Sequence, residues 1–458
     1  MRRALGPLAA AGLLAACVPA TPPLPEGVAV IPNSGWRTPL TATVPLDKAW
    51  WNGFGDPVLT ALVETALANN SDIAIAAARV REARAQEQIA RAAFLPSLDA
   101  GVGVQEARTV SPFGTPSTNT SAQPLLQASY ELDLFGRVRE TASAARSAYL
   151  ASAAARDAAA LSVAGATASG YLTLRGLDSR LAIAEQTVAS RTEALRISRN
   201  RARVGYTSDL ELRQAEAEYR STTQLLPQLR LAIARQENAL ALLTGTTPRD
   251  VIRGRSLAEL RPLPVPALLP SELLRRRPDI ASAEYQVAAS DSSLAAARAQ
   301  FLPRINLAAS LGAVISGALG DPVSIWSLGA SVLAPIFQGG RLSGNLNASA
   351  ARRDQALFTY RKTALTAFRE VDDALAAVRR LGEQRRELSL QRVALADALR
   401  HATNRYEAGY TSYLEQLDAQ RALLATDLNL AQLRTDELNA TVALYQAMGG
   451  GWSGPPAP

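Results

Sequence analysis

Asn200-Arg201 … Gly205-Tyr206-Thr207-Ser208-Asp209-Leu210-Glu211 returns 204 residues later as Asn404-Arg405 … Gly409-Tyr410-Thr411-Ser412-Tyr413-Leu414-Glu415. Two further echoes keep nearly that offset. Phe94-Leu95-Pro96 returns 207 residues on as Phe301-Leu302-Pro303, and Asp72-Ile73 returns as Asp279-Ile280. Matches in one order at nearly one offset mark an internal duplication, far longer in period than a solenoid repeat. The chain is one structural unit, doubled and fused.

Each Gly-Tyr-Thr-Ser copy sits between helical tracts. Upstream, 68 residues run without proline from Arg137 to Val204, and 68 from Arg341 to Ala408. At helical rise each tract spans roughly 100 Å. Leu174, Leu181, Val188 and Leu195 recur every seventh residue, as do Leu381, Leu388 and Leu395, the spacing of a coiled-coil seam. A glycine followed by a Ser or Thr cap predicts a tight helical reversal. Beyond it the pattern resumes for 37 residues, to Thr244 in one copy and Met448 in the other. Asp56-Pro57 predicts an earlier helix start, and Asn69-Asn70-Ser71 a break before a second helix that runs to Phe94.

Ahead of each long tract the period changes to two. Leu98, Ala100, Val102 and Val104 alternate with Asp99, Gly101, Gly103 and Gln105. Ala128, Tyr130, Leu132 and Leu134 alternate with Gln127, Ser129, Glu131 and Asp133. The stretch 106–122 between them, rich in Ser, Thr, Pro and Gly, predicts a solvent-facing loop. In the second copy Ile305, Leu307, Ala309, Leu311 and Ala313 form one face. After a loop at 317–322, Trp326, Leu328, Ala330 and Val332 form another. These are four strands of about ten residues, each with an apolar and a polar face. A single such strand also fits a soluble sheet, but four of them in an exported chain point to a membrane barrel.

Export follows from the N-terminus. Arg2-Arg3, an apolar run from Ala4 to Ala16, and Leu14-Ala15-Ala16-Cys17 predict a signal peptide over 1–16. The cysteine is the chain's only one. Leu-Ala-Ala-Cys resembles the bacterial lipoprotein box, so Cys17 is the expected lipidation site; Val18 in place of Asp favours the outer membrane. Lipid chains anchor a protein without a transmembrane helix, and no later stretch is apolar for long enough to be one. Residues 18–45 carry seven prolines and predict an extended tether. The expected division is a tether over 17–55, a first repeat over 56–245, a connecting belt over 246–270, a second repeat over 271–448 and a tail over 449–458.

Composition narrows the functions. The net charge is +7, but the arginines are scattered among acids and amides along helices, which excludes a nucleic-acid interface. One histidine, His401, and one cysteine cannot build a His/Cys metal site or a Ser-His-Asp relay, and no phosphate loop appears. No cofactor, metal or catalytic residue is expected, and an enzyme is rejected. Four strands cannot close a barrel, and open edges are not tolerated in lipid. Two chains would give eight strands around a plugged interior; three would give twelve around water. The expected fold is mainly α with a small β part, two tandem repeats in a homotrimer whose 12-stranded β-barrel continues into a long α-helical barrel.

These residues resemble the TolC-type outer-membrane factors of tripartite efflux pumps, in their lipidated, nodulation-type branch. The marks are Trp50-Trp51 … Phe54-Gly55-Asp56-Pro57, Glu131-Leu132-Asp133-Leu134-Phe135-Gly136, Leu242-Leu243-Thr244-Gly245, Leu273-Leu274-Arg275-Arg276-Arg277-Pro278-Asp279-Ile280, Leu417-Asp418-Ala419-Gln420 and Gly449-Gly450-Gly451-Trp452. The resemblance implies an outer-membrane duct with two partners, a periplasmic adaptor (membrane fusion) protein and an inner-membrane proton-driven transporter. It places the adaptor contact at Gly205, Tyr206, Thr207 and Ser208 and at Gly409, Tyr410, Thr411 and Ser412. It places the periplasmic gate at Glu211, Tyr406, Glu415 and Asp418. Thr411 stands where some relatives carry a basic gate residue, which puts a charge-paired lock there in doubt.

Symmetry copies of Asp418 or Glu415 at a constriction would repel and attract cations. The same acids also fit solvated positions near a helix start, and the residues alone leave both readings open. The reading that results is the passive exit duct of an efflux pump for drugs, toxic small molecules or metal ions. The alternatives are the duct of a type I protein-secretion system, or a coiled-coil surface lipoprotein without a channel.

Overall fold

A computed structural model describes residues 19–38, 45–110, 112–317 and 319–454. The signal peptide and Cys17 lie outside the described residues. The helices are α1 (Pro57–Asn69), α2 (Ser71–Ala92), α3 (Arg137–Arg203), α4 (Asp209–Thr223), α5 (Leu225–Leu243), α6 (Pro270–Arg276), α7 (Pro278–Ala299), α8 (Arg341–Glu407) and α9 (Tyr413–Ala447). The strands are β1 (Ser97–Val110), β2 (Pro116–Leu132), β3 (Arg304–Ser316) and β4 (Val323–Leu333). Among the described residues no helix is long and apolar enough to cross a membrane.

The chain packs as two compact units that cut across the duplication. One takes residues up to Ala29 with Arg79–Ala153 and Ser282–Lys362; the other takes Val30–Ala78, Ala154–Ala281 and the chain from Thr363 on.

In the first unit the strands form one antiparallel sheet in the order β1-β2-β3-β4. Its register gathers the alternation of four strands onto common faces. Leu98, Ala128, Ala309 and Leu328 form one row across the sheet, and Ala100, Leu126, Leu311 and Trp326 the next on that face. Asp99, Gln127, Ser310 and Ser327 form a row on the opposite face, where the hydroxyls of Ser310 and Ser327 are 2.7 Å apart. The apolar face is bare: Leu98 is 72% exposed, Trp326 77% and Leu328 78%. The expectation of a loop over 106–122 is corrected here. β1 runs to Val110, and Thr109 pairs with Ser117 and Glu106 with Thr120. Of the expected loop, 112–115 lie outside both strands. The polar residues mark where the apolar band ends, not where pairing ends.

The step from sheet to helix rests on local chemistry. Glu131 accepts two hydrogen bonds from the Arg137 guanidinium, at 2.9 and 2.7 Å. Asp133 accepts from the amides of Val138 and Arg139, at 3.0 and 2.8 Å, and so satisfies the free N–H groups at the start of α3. The Glu-Leu-Asp-Leu-Phe-Gly run is therefore a joint. At the corresponding joint after β4, Arg341 leans on Gln338 instead.

In the second unit the core joins Trp50, Phe54, Leu59, Val63, Tyr171, Leu172, Leu174, Leu240, Leu438 and Tyr445. Asp56 is its polar centre, 1% exposed. One carboxylate oxygen accepts from the amides of Val58 and Leu59 and caps α1. The other accepts from the Tyr171 hydroxyl at 2.8 Å and the Arg255 amide at 2.9 Å. Burial holds the Tyr171 phenol well above the usual tyrosine range. Leu257, Leu260 and Leu263 of the inter-repeat segment belong to the same core, so this stretch is packed in by its leucines. Arg277 of the Arg-Arg-Arg-Pro-Asp-Ile run pairs with Asp279 at 2.7 Å and with Glu370 at 2.7 Å, and donates to the Ala447 carbonyl at the end of α9.

The long tracts are single helices of 67 residues each. Their seams differ at the ends of the first: Leu174 and Leu195 are buried, whereas Leu181 and Val188, like Leu381, Leu388 and Leu395 of the second seam, are half-buried. The returning arms also differ. α9 is continuous over 35 residues, while the first arm breaks at Gln224 into α4 and α5. Pro227 falls in the first turn of α5, where a missing N–H costs least. The sequence pattern predicts a 37-residue helix in each copy, and the break at Gln224 corrects this for the first.

Candidate functional site

The two helical turns, both in the second unit, are built alike. Gly205 and Gly409 have φ of 79° and 80°, the left-handed conformation that a side chain would strain. The Gly205 amide donates to the Ala202 carbonyl and the Tyr206 amide to the Arg201 carbonyl. The Gly409 and Tyr410 amides repeat this on Tyr406 and Arg405. These paired bonds close the last turn of α3 and of α8 and reverse the chain. Tyr206 and Tyr410 then project, 86% and 80% exposed.

The helices that leave the turns start differently. Ser208 caps α4, its hydroxyl accepting from the Glu211 amide at 3.3 Å, and the Thr207 hydroxyl donates to the Glu211 carboxylate. Ser412 makes no side-chain cap bond; its carbonyl accepts from the Glu415 amide at 3.3 Å. Thr411 is half-buried. Glu415 accepts from Arg405 at 3.1 Å, and the side chain of Asp418 is 66% exposed with Arg421 at 4.0 Å. Tyr406 packs on Tyr413, ring centroids 5.5 Å apart, and lies beside Arg201, whose guanidinium is 5.7 Å from its ring. The structure thus brings Tyr406 into a packed cluster but gives each of the three acids a separate neighbour.

The centre of the site was missed by the sequence reading. Leu195, Ala215, Tyr413 and Leu417 form a small core that joins the two hairpins, with Leu212, Tyr219 and Tyr406 against it. Beside it, Glu218 is buried and bridges two arginines, Arg191 at 3.4 Å and Arg421 at 2.7 Å. Arg191 is 4% exposed, and burial pulls its guanidinium below the usual arginine range, against the attraction of Glu218. Burial raises the Tyr413 phenol, with the Arg191 charge acting the other way. One signal in the chain could have found these residues. At the 204-residue offset, Asp209 and Arg213 are replaced by Tyr413 and Leu417, so the second arm alone begins with an apolar face. Among the described residues no group of His, Cys, Asp and Glu could hold a metal ion.

Comparison with known proteins gives the same architecture. The family model described as outer membrane efflux protein matches residues 62–246 and 269–450. The solvent efflux pump outer membrane protein SrpC of Pseudomonas putida is 38% identical over 410 residues, 87% of either chain. The CmeC outer membrane channel of Campylobacter jejuni superimposes with a TM-score of 0.87 at 26% identity, over 96% of each chain. The open MtrE outer membrane channel of Neisseria gonorrhoeae does so with a TM-score of 0.82 at 31% identity, over 95% of this chain and 98% of that one. With the family model matched in both halves and these relatives spanning most of its length, the chain belongs to the outer membrane efflux protein family.

Proposed function

We propose that three copies of this chain form the passive exit duct of a tripartite efflux pump for small toxic solutes. One observation carries the reading. The four-stranded sheet is open: β1 and β4 each pair on one side only, and the face bearing Leu98, Leu311, Trp326 and Leu328 is exposed. In lipid, unpaired edge groups cost several kcal/mol each, about 2–7 per group. Pairing β4 of one copy with β1 of the next removes every edge, and three copies give twelve strands with the Asp99–Ser327 rows inward. A solvent efflux pump among the relatives supports apolar solutes as cargo. As a member of this family the chain is a duct rather than an enzyme, so the driving energy comes from an inner-membrane, proton-driven partner reached through a periplasmic adaptor.

The same reading assigns 1–16 to a removed signal peptide, lipidation to Cys17, and adaptor contact to Gly205–Ser208 and Gly409–Ser412. The exposed Tyr206 and Tyr410 support that contact. Glu211, Tyr406, Glu415 and Asp418 are the gate set, with Asp418 the most open to a narrow water-filled constriction. Cysteines placed along β1 and β4 test the assembly: oxidation is expected to end at a covalent trimer, and a ladder that closes at two or four copies overturns it. For the gate, Asp418→Ala is expected to raise single-channel conductance in planar bilayers; unchanged conductance removes Asp418 from it.

A further inference from the structure

The N-terminal segment lies on the first unit with a period of three. Pro19, Pro22 and Pro25 are half-buried, whereas Ala20, Thr21, Pro23, Leu24 and Glu26 are exposed. Three residues per turn is the period of a polyproline II helix resting one edge on a surface. Proline has no N–H, so such a segment offers chiefly carbonyls and needs donors opposite it. The donors are guanidinium groups. Arg353 of α8 is 2% exposed and donates to the Pro22 carbonyl at 2.9 Å and to the Pro23 carbonyl at 2.7 Å. Arg298 of α7 donates to the Pro19 carbonyl at 3.2 Å. A guanidinium this deeply buried is tolerated only when its donors are used, and the strap uses two of those on Arg353. The planar fork of arginine suits two adjacent carbonyls in a way an ammonium does not.

The place of this seat matters. Arg298 lies one residue before the end of α7, and β3 begins at Arg304. Ile305, paired with Leu132 and Val332, begins the apolar face of the sheet. Cys17 is two residues before Pro19, so extended chain can carry it at most about 7 Å further. We propose that Arg298 and Arg353 form a seat for a polyproline strap, which fixes the lipid-bearing N-terminus at the foot of β3. The acyl chains then enter the bilayer at the level where the apolar face of the sheet begins, and the anchor sets the depth of the barrel. This rests on the proposed lipidation of Cys17; the seat itself does not.

The test uses the full-length, acylated trimer in liposomes. Thr21→Cys supplies one reactive thiol for a nitroxide label, because the sulfur of an acylated Cys17 is a thioether. The expected spectrum is immobilised. In Arg298→Gln/Arg353→Gln it becomes mobile, and proteinase K cuts within 20–29 about tenfold faster, as the loss of charge-assisted hydrogen bonds implies. Arg353→Lys restores part of the protection. Should the double variant not assemble, replacing 22–25 with a Gly-Ser repeat loosens the strap and leaves both arginines and the label at position 21, with the same mobile spectrum expected. A mobile label on the native strap over intact arginines, or immobile labels in the loosened variants, overturns the seat. Mass spectrometry of the N-terminal peptide decides lipidation separately: a missing acyl mass overturns the anchor and leaves the label to judge the seat.

Discussion

The two hairpin turns share their glycine, tyrosine, threonine and serine, and then part. Beyond the first, Asp209 and Arg213 face solvent, and α4 is held by its own cap at Ser208. Beyond the second, Tyr413 and Leu417 enter a core shared with Leu195 and Ala215 of the first hairpin. Duplication kept the turn, which is a backbone requirement, while the two arms came to differ in what they bury. One arm starts on local hydrogen bonds, the other on long-range packing. The first residues of α4 can fray at their cap, whereas the first residues of α9 open only by breaking the shared core.

The sharpest way to break this comparison is Glu218→Ala. It leaves Arg191 buried without its carboxylate, which costs about 3–5 kcal/mol. Hydrogen exchange over 185–225 and 410–425 is expected to lose protection in both hairpins together. Loss confined to one hairpin would show that Glu218 does not join them. By contrast, Glu415→Ala removes an exposed partner of Arg405 and is expected to cost under about 1 kcal/mol.

Tyr413→Ala comes next. Truncating a buried aromatic costs about 3 kcal/mol, and here the loss is expected in the second hairpin. Asp209→Ala, the matching change in the first, is expected to stay within about 0.5 kcal/mol. Equal losses would erase the distinction between the arms. The raised phenol of Tyr413 adds a pH arm. Ionisation is easier in the opened state than in the packed one, so protection is complete below the ordinary tyrosine range, about 10, and falls as pH climbs through and beyond it. Tyr413→Phe is expected to remove that alkaline decline.

The smallest effect separates the caps. Ser208→Ala is expected to cost α4 about 1 kcal/mol, whereas Ser412→Ala, which loses no side-chain cap bond, is expected to be nearly silent. Exchange at the Glu211 and Glu415 amides measures both.

What the chain determined by itself is whatever local rules control. A proline-free tract rich in Ala, Leu and Arg propagates a helix, and a left-handed glycine stops it, so the ends of α3 and α8 were legible to within a residue. Asp56-Pro57 specified the start of α1, and alternation over 98–104 specified which strand face is apolar. The tertiary structure decided whatever needs a partner far along the chain. β1 and β2 extend to Val110 and Pro116 because each supplies the other's hydrogen bonds, and polar residues can serve in that ladder as well as apolar ones. Glu218 looks like any helix-surface acid until α9 arrives with Arg421 from 203 residues away. Tyr413 looks like any exposed aromatic until Leu195 is set against it. Periodicity records which side of an element is apolar, but burial and pairing depend on what packs there, and that is a property of the folded chain.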